Sequence, residues 1–284
     1  MTDYIITTDS SSDAGKETLE KLNIPFISYK FHDGEKEYID EMSEEQNIAY
    51  IEKMKSGSVF KTAALNVEEY KQFFRKQTNK NIMHVSLCEG LSSSINNARL
   101  ASIELKQEGY NISIIDATIA SLGSYLIVLE ATKNKEKGLS MEDNTNDLYE
   151  KAKTVNTYYT TNNLTYFARG GRLSVTAAFI CKTLNINVIL ACRKGGELYV
   201  KAKTFGRKNA FKKIIALIKE TVINPENETC YICHAQNEQG AKDLIVAIKK
   251  EVNFKDYEIH TMGPTIGAHA GPGLLACFYF GKQK

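Results

Sequence analysis

The stretch "IMHVSLCEGLSSSINNARLASIELKQEGYNISIIDA", Ile82 to Ala117, decides the fold. "IMHVSL" is a short apolar run of strand type. A helix then passes through Ile95, Ala98 and Ser102, and "ISIIDA" is a second strand. Strand, helix and strand in so short a space predict a parallel pair joined by a crossover helix, and so a helix-covered parallel sheet. The rhythm extends in both directions. "YIITT" (4–8) reads as a strand, a helix is expected from about Asp13, and "IPFISYKF" (24–31) reads as a strand. Ser43, with Gln46 three residues on, starts a further helix. "SLGSYLIVLEAT" (121–132) is another helix.

Between Thr132 and Glu150 the chain turns polar, with no apolar period strong enough to drive its own burial. The domain change is placed after it, giving domains 1–155 and 156–284. The second half shows strands near "TYYTT", "NVILAC", "ELYVKAKT", "TCYICHA" and "EIHTM", and helices at 209–222 and 239–252. Phe211, Ile214, Ile215 and Ile218 form an apolar stripe at helical spacing, which is a core face opposite a lysine-rich solvated one. The chain is therefore expected to be α/β throughout.

Composition narrows the function. With 284 residues, 43% of them hydrophobic, the chain can bury a substantial core. Its 36 basic and 34 acidic side chains leave a net charge of +2, too little to attract nucleic acid or hold an anionic membrane. Runs such as "GLLACFYF" fall well short of the roughly 18 apolar residues of a spanning helix, so the protein is not expected to be integral to a membrane. Six cysteines without framework spacing, and an N-terminus "MTDYIITTDSSSD" with no basic stretch before an apolar core, lead to an expected cytoplasmic location.

Several stretches could carry chemistry. "GPTIGAHAGPG", Gly263 to Gly273, surrounds His269 with glycine and reads as a turn-rich loop whose backbone approaches another element or a ligand closely. "GPGLLA" matches a dinucleotide fingerprint only nominally, because eight residues after Ala276 cannot supply a βαβ unit. "CYICH", Cys230 to His234, has haem-attachment spacing. On a strand, however, residues three apart face opposite ways, so buried structural cysteines fit better. Ser92, Ser93 and Ser94 occupy a helix start, where free N–H groups bind anions and where serine also serves simply as a cap. Asp9 and Asp13 have a spacing that permits a metal. The hydroxyls between them favour capping and loop hydrogen bonds instead, and no metal or cofactor is expected. "FARGGRL" places Arg169 and Arg172 around two glycines, a basic turn suited to a phosphate, a carboxylate or an acidic partner.

The order of these motifs resembles the DegV family of bacterial fatty-acid-binding proteins. It comprises "TDSSSD", Thr62 in "KTAALN", "LSSS", "DATIASLG", "YFARGGRL", "LNINVIL" and "GPTIGAHAGPG". The resemblance implies a two-domain α/β protein, with an N-terminal parallel sheet covered by helices on both faces and a C-terminal mixed α/β domain. One long-chain fatty acid would lie in a tunnel between them. Thr62 and Ser92 would bond the carboxylate, with N–H groups near Ser93 assisting and His269 close by. It further implies a carrier that is not itself an enzyme, presenting its acid to the catalytic subunit of a fatty acid kinase, whose acyl phosphate enters phospholipid synthesis. Arg172 would then face the kinase or its nucleotide, and Ser10 and Gly267 are further candidate contacts. Ala63, Ala64 and Leu65 stand where the family usually has serine and a nearby proline, Ser93 replaces a common glycine, and Lys203 a frequent arginine. Two other readings compete. One is an enzyme for a small carboxylated or phosphorylated substrate with His269 as acid/base, and the other is a lipid sensor that passes nothing on.

Overall fold

The computed structural model describes residues 3–174, 186–193 and 195–283. The chain opens with β1 (Ile5–Asp9), α1 (Lys16–Lys21), β2 (Phe26–Ile27), β3 (Lys30–His32), β4 (Glu37–Ile39) and α2 (Glu44–Lys55). It continues through β5 (Lys61–Ala63), α3 (Val67–Arg75), β6 (Asn81–Ser86), α4 (Ser94–Leu105), β7 (Asn111–Asp116), α5 (Leu122–Glu136) and α6 (Met141–Ala152). The later elements are β8 (Val155–Thr161), α7 (Thr165–Arg169), β9 (Ile186–Cys192), β10 (Leu198–Phe205) and α8 (Gly206–Thr221). Last come β11 (Thr229–His234), α9 (Glu238–Lys249), β12 (Asp256–Thr261), α10 (Pro264–Ala270) and β13 (Leu275–Phe280).

Three sheets form among the described residues. The first, in order β2-β1-β6-β7, is parallel throughout, as the strand–helix–strand pattern requires. Its strands face two cores: Ile82 and Ile114 point to one, Met83, Val85 and Ile115 to the other. Helices α3 and α4 cover the first core, α5 and α6 the second. A mixed sheet, β10-β9-β8-β13-β11-β12, is built from the later strands. Helices α8 and α9 cover its outer face, where the predicted stripe of Phe211, Ile214, Ile215 and Ile218 is buried. Helix α5 packs against both sheets. Leu122 to Val128 are all buried, as expected of a helix apolar on every side. A small antiparallel sheet, β4-β3-β5, sits at one edge and carries Thr62.

Within "CYICH", Cys230 packs into the outer core under α8 and α9 while Cys233 faces the inner one, and both are free thiols. Cys181 and the first two residues of "LNINVIL" lie outside the described residues.

Four expectations need correction. The first helix starts at Lys16, not Asp13. Ser10 to Ser12 form one tight turn, held by the Ser11 N–H donating to the Asp9 carboxylate at 3.0 Å, and Asp13 is left-handed at φ 53°. "IPFISYKF" is not one strand but two, β2 and β3, in different sheets. The polar stretch after Thr132 is helical through α5 and α6. Asn144 is fully buried there, its amide donating to the Ala131 carbonyl and the Tyr4 hydroxyl, each at 2.9 Å. A satisfied polar network took the place of an apolar stripe. "GPTIGAHAGPG" is no loop at its centre. Pro264 takes the first turn of α10 and Gly271, at φ 81°, ends it.

Candidate functional site

A cavity opens where β5, the start of α4, α7, β10 and α10 meet. Its walls are mainly apolar, with Leu87, Ala120, Tyr159, Phe167, Leu198 and Met262 among them. Thr62, Ser92, Ser93, Arg172 and His269 supply polar groups to the same cavity. Residues read from four separate motifs are thus brought together.

At the centre, Thr62 Oγ1 lies 2.7 Å from His269 Nε2. Strand pairing of Thr62 with Phe31 fixes the threonine. His269 sits in the last turn of α10, whose start is clamped from below. The Gly263 N–H donates to Asp13 Oδ1 at 2.8 Å, and the Thr265 N–H donates to Asp40 Oδ2 at 3.3 Å, with the Thr265 hydroxyl donating to that oxygen as well. The Tyr50 hydroxyl donates to the carbonyls of Met262 and Gly263, at 3.2 and 3.1 Å. A Cβ on Gly267 would overlap that hydroxyl, and one on Gly170 would overlap His269 Nδ1. Two of the glycines in these motifs therefore exist to let a tyrosine and the imidazole come close.

Burial, helped by the neighbouring Arg172 guanidinium, pushes the His269 imidazole down to about 4, so the ring is neutral at pH 7. Its Nδ1 has no hydrogen-bond partner among the described residues. Burial acts the other way on the carboxyls beneath α10, raising Asp13 to about 8 and Asp40 to about 6. Asp9 and Asp13 spend their oxygens on serine hydroxyls and backbone N–H groups. Ser86 reaches Asp9 at 3.0 Å and Ser121 reaches Asp13 at 2.5 Å.

The three serines at the start of α4, Ser92 to Ser94, divide their tasks. Ser92 Oγ accepts from the Ser94 N–H at 3.2 Å and donates to Ser94 Oγ at 3.1 Å. Ser94 Oγ in turn accepts from the Leu65 N–H at 3.0 Å, which ties the "TAAL" segment to the helix start. Ser93, at the N-cap, is exposed and makes no side-chain capping bond. Arg172 Nε donates to the Leu91 carbonyl at 3.1 Å, and its Nη1 donates to the Gly170 carbonyl, so the guanidinium is held half-buried at the cavity wall. Ser10 and Gly267 do not line the cavity. Ser10 Oγ accepts from the Tyr29 N–H at 3.0 Å, behind the wall, and Gly267 faces Tyr50. Sequence reasoning missed Tyr29, a cavity-lining residue whose hydroxyl has no partner among the described residues, and the supports Asp40 and Tyr50. Nothing local marks these three.

The sequence profile of the DegV family, described as one of uncharacterised proteins, matches residues 4–282. The chain belongs to the DegV family. A DegV domain-containing protein of Clostridium perfringens is 30% identical over 289 residues, covering 100% of this chain and 99% of the relative. Among solved structures, a DegV lipid-binding protein from Thermotoga maritima superposes with a TM-score of 0.89 at 26% identity, covering 100% of both chains. DegV from Bacillus subtilis, a fatty-acid-binding protein, gives 0.84 at 25%, covering 99% of this chain and 100% of that one. A second Thermotoga maritima protein, whose structure revealed fatty acid binding, gives 0.88 at 25%, with the same coverage. The chain therefore has the DegV fold. No helix among the described residues is long and apolar enough to cross a membrane.

Proposed function

We propose that this DegV protein binds one long-chain fatty acid and presents its carboxylate to a separate kinase. The observation that carries the reading is the contact of Thr62 with His269 at an apolar cavity that also opens onto Ser92 and Ser93. The cavity would lie between an N-terminal domain of residues 1–155 and a C-terminal domain of residues 156–284.

The chemistry divides between tail and head. Burying about 14 methylenes at roughly 0.8 kcal/mol each supplies about 11 kcal/mol before the costs of association. The head group needs donors, because a carboxylate leaving water unpaired is costly. We assign the Nε2–H tautomer to His269 from its partner. It donates to Thr62 Oγ1, which frees the threonine hydroxyl hydrogen for the carboxylate. Ser93, free of capping duty, is a second donor, and Ser92 holds the helix start on which both depend. A carboxylate oriented in this way has an oxygen directed outward for phosphoryl transfer by a fatty acid kinase. Arg172 stands beside it at the wall. In this role the protein is a cytoplasmic carrier that feeds acyl phosphate to phospholipid synthesis and performs no catalysis alone.

An acid–base enzyme would need a hydrogen-bond acceptor, such as a carboxylate or a backbone carbonyl, orienting His269 Nδ1. Among the described residues that nitrogen has no hydrogen-bond partner and packs against Gly170. The test is displacement of a fluorescent fatty acid from the native protein and from Thr62→Ala/Ser92→Ala. Weaker binding by a folded variant supports the site. Equal affinity and equal kinase-coupled phosphorylation remove it.

A further inference from the structure

A second cavity, of about 250 Å³, lies against His269 and is bounded by Phe60, Lys61, Tyr166, Arg169 and Gly170. The imidazole is common to this cavity and to the one that holds Thr62, and so forms a wall between them. Lys61 precedes Thr62 on β5. Successive strand residues point to opposite faces, which sends the threonine toward one cavity and the lysine toward the other. Arg169 closes α7, its guanidinium 5.9 Å from the Tyr166 ring centroid.

The charges around this wall are uncompensated. Some surface cations elsewhere are held by carboxylates: Lys30 lies 2.9 Å from Glu69, Lys71 2.8 Å from Glu104 and Arg75 2.6 Å from Glu108. Lys61, Arg169 and Arg172 have none among the described residues, and the stretch 175–185 contains no Asp or Glu to supply one. His269 between them is neutral and cancels nothing. A single carboxylate in the first cavity cannot offset three cations, so positive potential remains at the second.

We propose that the second cavity is an oxyanion subsite for a phosphate-class dianion, with Lys61 and Arg169 as its ligands. A guanidinium offers two parallel N–H donors to such a group, and an ammonium adds a mobile point charge. The dianion has two sources. It is either free inorganic phosphate or a phosphoryl group carried on a long acyl chain whose head lies at Thr62. Only the second source rests on the fatty-acid reading.

The test compares the full-length native protein with Lys61→Ala/Arg169→Ala and with the charge reversal Lys61→Glu/Arg169→Glu. Both positions are exposed, so the fold should survive, and circular dichroism checks it. Calorimetric titrations use inorganic phosphate, palmitate and hexadecylphosphonate separately. Either phosphate or hexadecylphosphonate should bind the alanine variant at least tenfold more weakly and the reversal more weakly still, while palmitate changes less than twofold. Loss for inorganic phosphate identifies the free ion as ligand, and loss confined to hexadecylphosphonate identifies the lipid-borne group. Affinities for both phosphorus probes that ignore the substitutions overturn the subsite, as does an equal loss for palmitate and hexadecylphosphonate. If the native protein refuses palmitate, the fatty-acid reading fails, and the inorganic phosphate titration decides the subsite by itself.

Discussion

Thr62 and His269 lie 207 positions apart in the chain, yet their side chains meet at 2.7 Å. Two elements, a three-residue edge strand and a one-proline helix, are folded toward each other to make that contact. Most of what the account expects follows from what each side chain can still donate.

Thr62→Ala/Ser92→Ala should weaken fatty acid binding by roughly 10- to 100-fold, the loss of the Thr62 hydrogen bond to a charged group at about 1.5–3 kcal/mol, while the second change loosens the helix start that holds Ser93. Thermal unfolding should stay cooperative. Calorimetry with palmitate measures the affinity, and an unchanged value would remove Thr62 from the site.

Acid binding should be coupled to proton uptake at His269. The free ring titrates at about 4, and a bound carboxylate favours its charged form, so the pKa in the complex lies higher. Between those two values the complex holds more protons than the free protein, and affinity rises as pH falls. Titrations in buffers of different ionisation enthalpy detect the uptake, and His269→Gln should abolish it. Arg172→Ala should raise the His269 value in the free protein, because that guanidinium opposes the imidazolium, and NMR titration of the ring reads the shift. A ring that does not respond would place the arginine's charge elsewhere. The same variant should spare palmitate affinity and impair kinase-coupled phosphorylation. Equal loss of both would make Arg172 structural.

Asp13 should tilt the pH dependence of stability. Its carboxyl is raised to about 8 when folded, from about 3.8, so the folded chain binds the extra proton between those values. Stability from this group is fully present below about 3.8 and is lost as pH rises toward 8, with a slope of at most about 1.4 kcal/mol per pH unit. Asp13→Asn should flatten that part of the curve in urea unfolding from pH 5 to 8. A curve with the native slope would assign the dependence to other groups.

Gly267→Ala should destabilise by about 1–3 kcal/mol, because the added methyl overlaps the Tyr50 hydroxyl that anchors the start of α10. Since α10 carries His269, acid affinity should fall with it. Urea midpoints and palmitate titration check both. Loss of stability with native affinity would mean that α10 relaxes without moving the ring.

The parallel sheet was legible because β6 and β7 carry long apolar runs and α4 a clear helical period, each strong enough to read alone. The edge sheet was not, since β3, β4 and β5 have three residues each and no period can show in three. In α6 the buried residues include Asn144, whose place depends on Ala131 in the preceding helix and on Tyr4, 140 positions away. Glycine content drew "GPTIGAHAGPG" toward a loop, although Pro264 and Gly271 are ordinary start and stop signals for a helix. Thr62 entered through family resemblance, as nothing in "KTAALN" marks it chemically. Asp40 and Tyr50 could not be found at all, because their role exists only where α2 and the segment before it reach α10.

The most direct test is native mass spectrometry of the protein purified without detergent or added lipid, followed by denaturation and identification of what is released. The account requires one fatty acid per chain, or an empty protein that takes up one equivalent when acids of several lengths are offered. A protein that is empty and refuses them all contradicts it.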